Sequence, residues 1–214
     1  MNTNEIKKYK KHLKLSKRQR NILVGLLLGD GHLETQDSGR TYRLKIEHGV
    51  HQSDYVEWLF QEFKEWTRQT KPYHKKRNNG LESVGFTTYS HASFRFYGQQ
   101  FYKNKKKVIP LLIHKLITPI GLAIWFMDDG SRKSLRHKTY IFHTLGYAKQ
   151  ELELVTKALN KCFSVNTKLH RQKENYWRIY ILSESSEQFK KIVEPYVKNI
   201  LSMKNKLSNT LPKK

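Results

Sequence analysis

A chain of 214 residues, 37% hydrophobic and 12% aromatic, can bury one large core or two small ones, which excludes a disordered tail. Its 41 Lys and Arg against 18 Asp and Glu give a formal net charge of +23, so the expected counterpart is a polyanion, nucleic acid first, ahead of a membrane surface. One cysteine, Cys162, excludes an internal disulfide framework and a cysteine-based zinc finger, and no apolar run reaches the roughly 20 residues of a membrane span.

In chain order, a basic stretch over residues 7–20 precedes the apolar run 22–28, an order that mimics a signal peptide. The run ends in Gly29-Asp30-Gly31 instead of a small-residue cleavage site, and a related pattern returns in mid-chain, so a structural helix is expected, capped by Ser16. Around residues 42–47, Leu44 and Ile46 alternate with Arg43 and Lys45, as in a half-buried strand. Val56, Leu59, Phe63 and Trp66 then recur at helical spacing. A basic loop over 71–77 follows, carrying Lys75, Lys76 and Arg77, then strands near 84–88 and 93–97, the second holding Arg95, and a lysine-rich connector from Lys103 to Lys107.

The order then repeats. Thr118-Pro119 opens a helix running through Phe126, with threonine as cap and proline in the first turn. Strands are expected over 132–138, with Arg132, Lys133 and Arg136, and over 140–145. A helix over 149–163 ends on Cys162, read as core filler. Strands over 167–172 and 176–182 carry Lys168, Arg171 and Arg178, and a closing helix from Ser186 to about 201 contains Pro195. Trp58, Trp66, Trp125 and Trp177 fall on apolar faces and are expected in the core. The ten histidines show no metal-binding spacing: His48 and His51 lack a third partner, His137 and His143 fall in strands, and all are read as DNA contacts or surface positions.

Each half therefore reads helix, two strands, helix, two strands, helix. The expectation is an α+β fold of two pseudo-symmetric αββαββα halves, each a four-stranded antiparallel sheet backed by helices, together forming a DNA-binding saddle. The segments are a basic arm (1–15), a first half (16–102), a basic linker (103–117), a second half (118–201) and a basic tail (202–214). The open sheet faces, with Arg43, Lys45, Arg95, Lys168 and Arg178, suit the major groove.

Two helix endings carry the chemistry: Leu26-Leu27-Leu28-Gly29-Asp30-Gly31 and Trp125-Phe126-Met127-Asp128-Asp129-Gly130. Taken singly, each is an ordinary helix stop, since glycine commonly terminates helices. Taken together they make a pair. Gly25 and Gly29 lie four apart on one helix face and permit close approach of a second helix, on which Gly121 or Ala123 must answer. Asp30 and Asp129 would then meet. Two carboxylates at the negative ends of two helix dipoles repel each other, and a hard divalent cation relieves that cost.

These motifs resemble the paired signatures of LAGLIDADG homing endonucleases, the single-chain, intron-encoded branch. The likeness takes in Lys107-Val108-Ile109-Pro110, Thr118-Pro119 and the closing Ser202-Met203-Lys204-Asn205-Lys206-Leu207. It implies a monomer without an obligate protein partner or membrane, cutting both strands of a long asymmetric double-stranded DNA target to leave 3′ overhangs. It also implies catalytic roles for Asp30, Asp129, Lys107 and Lys206, with Asp30, Asp129 and the carbonyls of Gly29 and Asp128 holding Mg²⁺, which Mn²⁺ or Ca²⁺ could replace for binding. For Lys107, within a lysine run, simple phosphate contact competes with the catalytic role. The pattern departs at Leu28-Gly29, where an acid and alanine are usual, at Ile124 opposite Gly25, and at Asn205, where tyrosine is usual. An RNA maturase or a non-cleaving DNA-binding protein on the same fold is the rival reading. An intein-borne enzyme is disfavoured, because no splice-junction residues flank the chain and a free-standing protein is expected. An intracellular and, if intron-encoded, mitochondrial or other organellar setting follows from the same resemblance.

Overall fold

A computed structural model describes residues 3–76, 78, 80–134, 139–173 and 176–207. Packing divides the chain into two compact units, one holding residues up to Arg20 and Gly31–Gln99, the other Asn21–Asp30 and everything from Gln100 on.

The first unit contains α1 (Thr3–Lys10), the opening of α2 (Lys17–Leu28), β1 (His32–Glu34), β2 (Arg43–Gly49), α3 (Ser53–Glu62), β3 (Tyr73–Lys76), β4 (Glu82–Thr87) and most of α4 (Arg95–Phe101). Ser16 caps α2 as expected: its Oγ accepts the Gln19 N–H at 3.1 Å, and Gln19 Oε1 accepts the Ser16 N–H at 3.0 Å. The four strands form an antiparallel sheet in the order β1-β2-β4-β3. Alternation along β2 sets its faces, with Leu44, Ile46 and His48 buried and Arg43, Lys45 and Glu47 partly exposed. Tyr55, Val56, Leu59 and Phe60 of α3 are buried, and Phe60 meets Phe86 of β4 edge to face at 5.5 Å.

The second unit completes α2 and adds β5 (Tyr102–Lys103), β6 (Lys106–Lys107), α5 (Ile113–Leu116), α6 (Pro119–Asp129), β7 (Gly130–Arg132), β8 (Tyr140–Phe142), α7 (Lys149–Phe163), β9 (Thr167–Lys173), β10 (Tyr176–Ile181), α8 (Ser186–Val197) and α9 (Leu201–Lys204). Its sheet repeats the first in the order β7-β8-β10-β9. Thr118 Oγ1 accepts the Gly121 N–H at 3.3 Å, with Pro119 in the first turn. The core stacks Trp125 on Phe142 at 4.1 Å, with Phe126 and Phe189 edge-on. The order αββαββα thus occurs twice, as the sequence predicts.

Several local expectations fail for identifiable reasons. Residues 93–97 are helical: the His91 ring accepts the Ser93 N–H at 3.1 Å, and Phe94, Tyr97 and Phe101, spaced by three and four, are buried together. Arg95 therefore opens α4, where its Nε donates to the Arg40 carbonyl at 2.7 Å, and does not lie on a sheet face. The fourth strand is β3, inside the basic stretch read as a loop, whose lysines mask its alternation. The lysine connector folds as the hairpin β5–β6, with Asn104 and Lys105 both at positive φ, the backbone a two-residue turn of matching twist requires. Cys162 is exposed beyond the last buried turn of α7, with Sγ 3.2 Å from the His114 carbonyl oxygen, so it is not core filler. His48 is buried against Tyr55 instead of lying on the surface, and His143 falls just past β8. Trp66 and Trp125 are core residues, whereas Trp58 and Trp177 are partly exposed beneath Arg18 and Lys149. The closing helix stops at Val197, two residues past Pro195. Among the described residues no helix is long and apolar enough to cross a membrane.

Candidate active site

Both acidic motifs fall in the second unit, because the end of α2 packs there against α6. Gly25 makes the approach possible. A Cβ at that position would lie 2.6 Å from the Ile124 Cβ and closer still to the Gly121 carbonyl oxygen. Gly121, and not Ala123, is therefore the answering residue, and a Cβ there would stand 3.0 Å from the Asn21 carbonyl oxygen. Four residues further on, Gly29 leaves room for the Asp128 side chain, whose Oδ2 accepts the Asp30 N–H at 3.0 Å.

Helix C-termini leave carbonyls without intrahelical donors. Here side chains supply them. Tyr147 donates its hydroxyl to the Leu28 carbonyl at 2.9 Å and Lys107 Nζ donates to the Gly29 carbonyl at 2.5 Å. On α6, Lys206 Nζ donates to the Asp128 carbonyl at 3.1 Å and to that of Met127. The Asp129 carbonyl accepts the His143 backbone N–H at 3.0 Å, while Asp129 Oδ2 accepts Trp125 Nε1 at 3.1 Å. Lys107 and Lys206 thus reach the two carbonyls that the resemblance assigns to metal. A cleft of about 260 Å³ opens beside them, lined by Gly29, Lys106, Lys107, Asp129 and Tyr147.

The electrostatics follow from burial. Asp129 is pushed up to about 8, first by desolvation and then by the charges of Asp128 and Asp30, against the pull of Trp125 and Lys107. Burial lowers Lys107 and Lys206, and the carboxylates of Asp128, Asp129 and Asp30 oppose that shift. Burial and the Asp129 charge hold the Tyr147 phenol well above its ordinary range. Carboxylate oxygens of Asp30 and Asp128 lie within 4.8 Å of each other. Carboxylates that repel each other, beside the Gly29 and Asp128 carbonyls, form a donor set of hard oxygens, which fits a hard divalent cation.

The basic residues distribute unevenly. Arg43, Lys45 and Lys75 share the open face of the first sheet. Lys76, opposite Glu82, is on its other side, and Arg77 lies outside the described residues. In the second sheet Lys168, opposite Tyr180, and Arg178, opposite His170, share the open face. Arg132 pairs in register with the buried Tyr140 and Arg171 with Trp177, which places both on the helix-covered side. Lys133 follows β7, with Nζ 5.7 Å from the Tyr180 ring centre, and Arg136 lies outside the described residues. Sequence reasoning missed the side chains of Asp128, Trp125 and Tyr147. Trp125 stands four residues before Asp129 on one helix and was readable by spacing, whereas Tyr147 reaches α2 from 119 positions away and left no local signal.

The profile of the LAGLIDADG DNA endonuclease family matches residues 20–189. A protein named a probable intron-encoded endonuclease, from Wickerhamomyces canadensis, is 33% identical over 96% of this chain and 91% of its own length. The homing endonuclease I-WcaI bound to its DNA recognition sequence has a similar structure, with TM-score 0.87 and 31% identity over 98% of this chain and 95% of that one. The cytochrome b mRNA maturase bI2 of Saccharomyces cerevisiae is 30% identical over 89% of this chain, which spans 47% of the maturase.

Proposed function

The chain belongs to the LAGLIDADG DNA endonuclease family, and from that premise we propose that it acts as a single-chain homing endonuclease, hydrolysing both strands of a long asymmetric duplex to leave 3′ overhangs. The observation that carries the reading is the convergence of Asp30, Asp128, Asp129, Lys107 and Lys206 on the paired ends of α2 and α6. Asp30, Asp129 and the Gly29 and Asp128 carbonyls would hold Mg²⁺, with Mn²⁺ or Ca²⁺ able to stand in for binding. When bound, such ions activate water and stabilise a leaving oxygen in phosphodiester hydrolysis.

The chain's own residues do the rest. Trp125 fixes the Asp129 carboxylate and Asp128 fixes the backbone of Asp30, so both acids are positioned before substrate arrives. Lys107 and Lys206 bring ammonium groups to the two helix ends, where each can face a phosphate and the charge that develops on it. The open sheet faces supply Arg43, Lys45, Lys75, Lys168 and Arg178 for duplex contact. The two faces differ in sequence, so the target is asymmetric. The two halves, 16–102 and 118–201, form the working monomer, and an intron of a mitochondrion or other organelle is the expected source.

The test pairs wild type with Asp30→Asn and Asp129→Asn on a randomised long-duplex library with Mg²⁺. Metal-dependent double-strand cuts, lost in both variants while binding persists, support the reading. The likeness to the bI2 maturase favours RNA splicing assistance as the second reading. Tight binding of structured RNA without cleavage of any duplex would put it first.

A further inference from the structure

Two side chains divide the helix-end carbonyls of α2, whereas one serves those of α6. Tyr147 donates its hydroxyl to the Leu28 carbonyl at 2.9 Å, and Lys107 donates its ammonium to the next one, Gly29, at 2.5 Å. On α6, Lys206 donates to both Met127 and Asp128. Seating two donors on consecutive carbonyls requires that the segments carrying them keep a fixed relation. Glu151, in the first turn of α7, supplies it. Its Oε2 accepts the N–H of Ala148, next to Tyr147, at 2.8 Å. Its Oε1 accepts the N–H of Ile109, two residues past Lys107, at 3.0 Å.

Helix capping alone does not account for this double tie. A glutamate three residues into a helix commonly reaches back to the cap N–H while a polar cap residue returns the bond. Here the cap is Ala148, which has no side-chain oxygen to return it, and the second carboxylate oxygen goes to a different segment. That segment is clamped from its other side as well. Lys107 pairs with Tyr102 across the β5–β6 hairpin, and the Val108 N–H donates to the Phe101 carbonyl at 2.8 Å. The backbone of Lys107 is therefore held by the hairpin on one side and by Glu151 on the other.

We infer that Glu151 is a positioning residue for the cleavage of one strand: by tying Ala148 to Ile109 it seats Tyr147 and Lys107 on the end of α2. The inference rests on the proposed endonuclease reading, in which Lys107 serves one scissile phosphate. Lys206 is placed differently, by a local turn after α9 in which its own N–H bonds to the Met203 carbonyl at 3.0 Å. Loosening Glu151 therefore reaches the Lys107 end and leaves the Lys206 end as it was. A misplacement of about 1 Å, caused far from the chemistry, can cost about 10²-fold in rate.

A target is selected from a randomised duplex library by binding in Ca²⁺, and the nicking of each labelled strand is then timed in Mg²⁺. Glu151→Gln keeps the shape but offers one oxygen acceptor in place of two, so one tie is lost. It should slow the strand that Lys107→Met slows by about 10–100-fold. The other strand, and duplex affinity in Ca²⁺, should stay as in wild type. Tyr147→Phe should slow the same strand, and the two changes together should cost little more than either alone, since they act through one frame. Adding Ala148→Ser to Glu151→Gln gives α7 a cap of its own without tying Ile109. The thermal midpoint should then recover while the nick stays slow. A nick that recovers with the midpoint, equal slowing of both strands, or no slowing at all overturns the inference and leaves Glu151 a helix cap, with the endonuclease reading intact. A wild type that cuts no duplex overturns both.

Discussion

The carboxylate of Asp128 accepts the backbone N–H of Asp30, so the acid that precedes one motif's terminal aspartate caps the other motif's helix end. The relation is one-sided, because the corresponding residue of the first motif is Gly29, which has no side chain to return it. Asp128 also raises Asp129 by its charge. Replacing Asp128 by Asn should therefore lower the Asp129 pKa in the metal-free protein, read as a shift of its carboxyl carbon resonance in an NMR titration. An unchanged titration would mean that burial and the Asp30 charge raise Asp129 without help from Asp128.

The raised Asp129 carboxyl has a consequence for stability in chelator. Its folded value, about 8, stands above the unfolded value of 3.8, so the folded chain binds the extra proton between them. The contribution to stability is complete below the unfolded value and is lost as pH rises toward about 8. Denaturant titrations of wild type and Asp129→Asn, run at acidic and alkaline pH, should show wild type losing ground to the variant as pH rises. Parallel losses in the two proteins would count against a protonated Asp129.

Close approach of α2 and α6 depends on Gly25, whose missing side chain admits Gly121 and Ile124. Gly25→Ala forces a methyl group against the Gly121 carbonyl and the Ile124 side chain, and overpacking of that kind costs about 1–3 kcal/mol. The thermal midpoint should fall and cleavage with it. An alanine variant of unchanged midpoint would show that the helices part without cost.

Much of this was legible in the sequence, and the boundary of legibility is physical. The repeat, the cap at Ser16, the Thr118-Pro119 start and the strands from Thr167 and Tyr176 follow local rules of periodicity and capping, and they stand where those rules place them. Residues 93–97 misled because Phe94 and Phe96 alternate as strand residues do, while the burial of Phe94, Tyr97 and Phe101 decides for a helix. The paired acids could be read from two motifs. Of the side chains that donate to the helix-end carbonyls, Lys206 was legible in its motif, whereas Tyr147 acts across 119 residues and emerges only from the packed chain.

Lys107 and Lys206 serve different helix ends, Lys107 reaching Gly29 and Lys206 reaching Asp128. On the proposed endonuclease reading each assists one strand. Lys107→Met should slow one nick by about 10²–10³-fold, the cost of removing a single positioned charge-stabilising donor, and leave duplex affinity nearly unchanged. Supercoiled plasmid carrying the target would then accumulate as nicked circles instead of linear product, and Lys206→Met would accumulate the opposite nick. Equal slowing of both strands by either variant would assign the lysines to a shared step.

Binding itself should separate phosphate contacts from base contacts. Lys168 is exposed on the open face of the second sheet, opposite Tyr180, while Arg178 on the neighbouring strand is partly buried. If Lys168 meets a phosphate, Lys168→Ala weakens every duplex alike and reduces the slope of log affinity against log salt by about 1. Arg178, whose planar fork matches guanine O6 and N7, should instead cost about 1–3 kcal/mol on the preferred sequence and little on others. Affinities measured at several salt concentrations on target and scrambled duplexes distinguish the two, and a reversed pattern would exchange their roles.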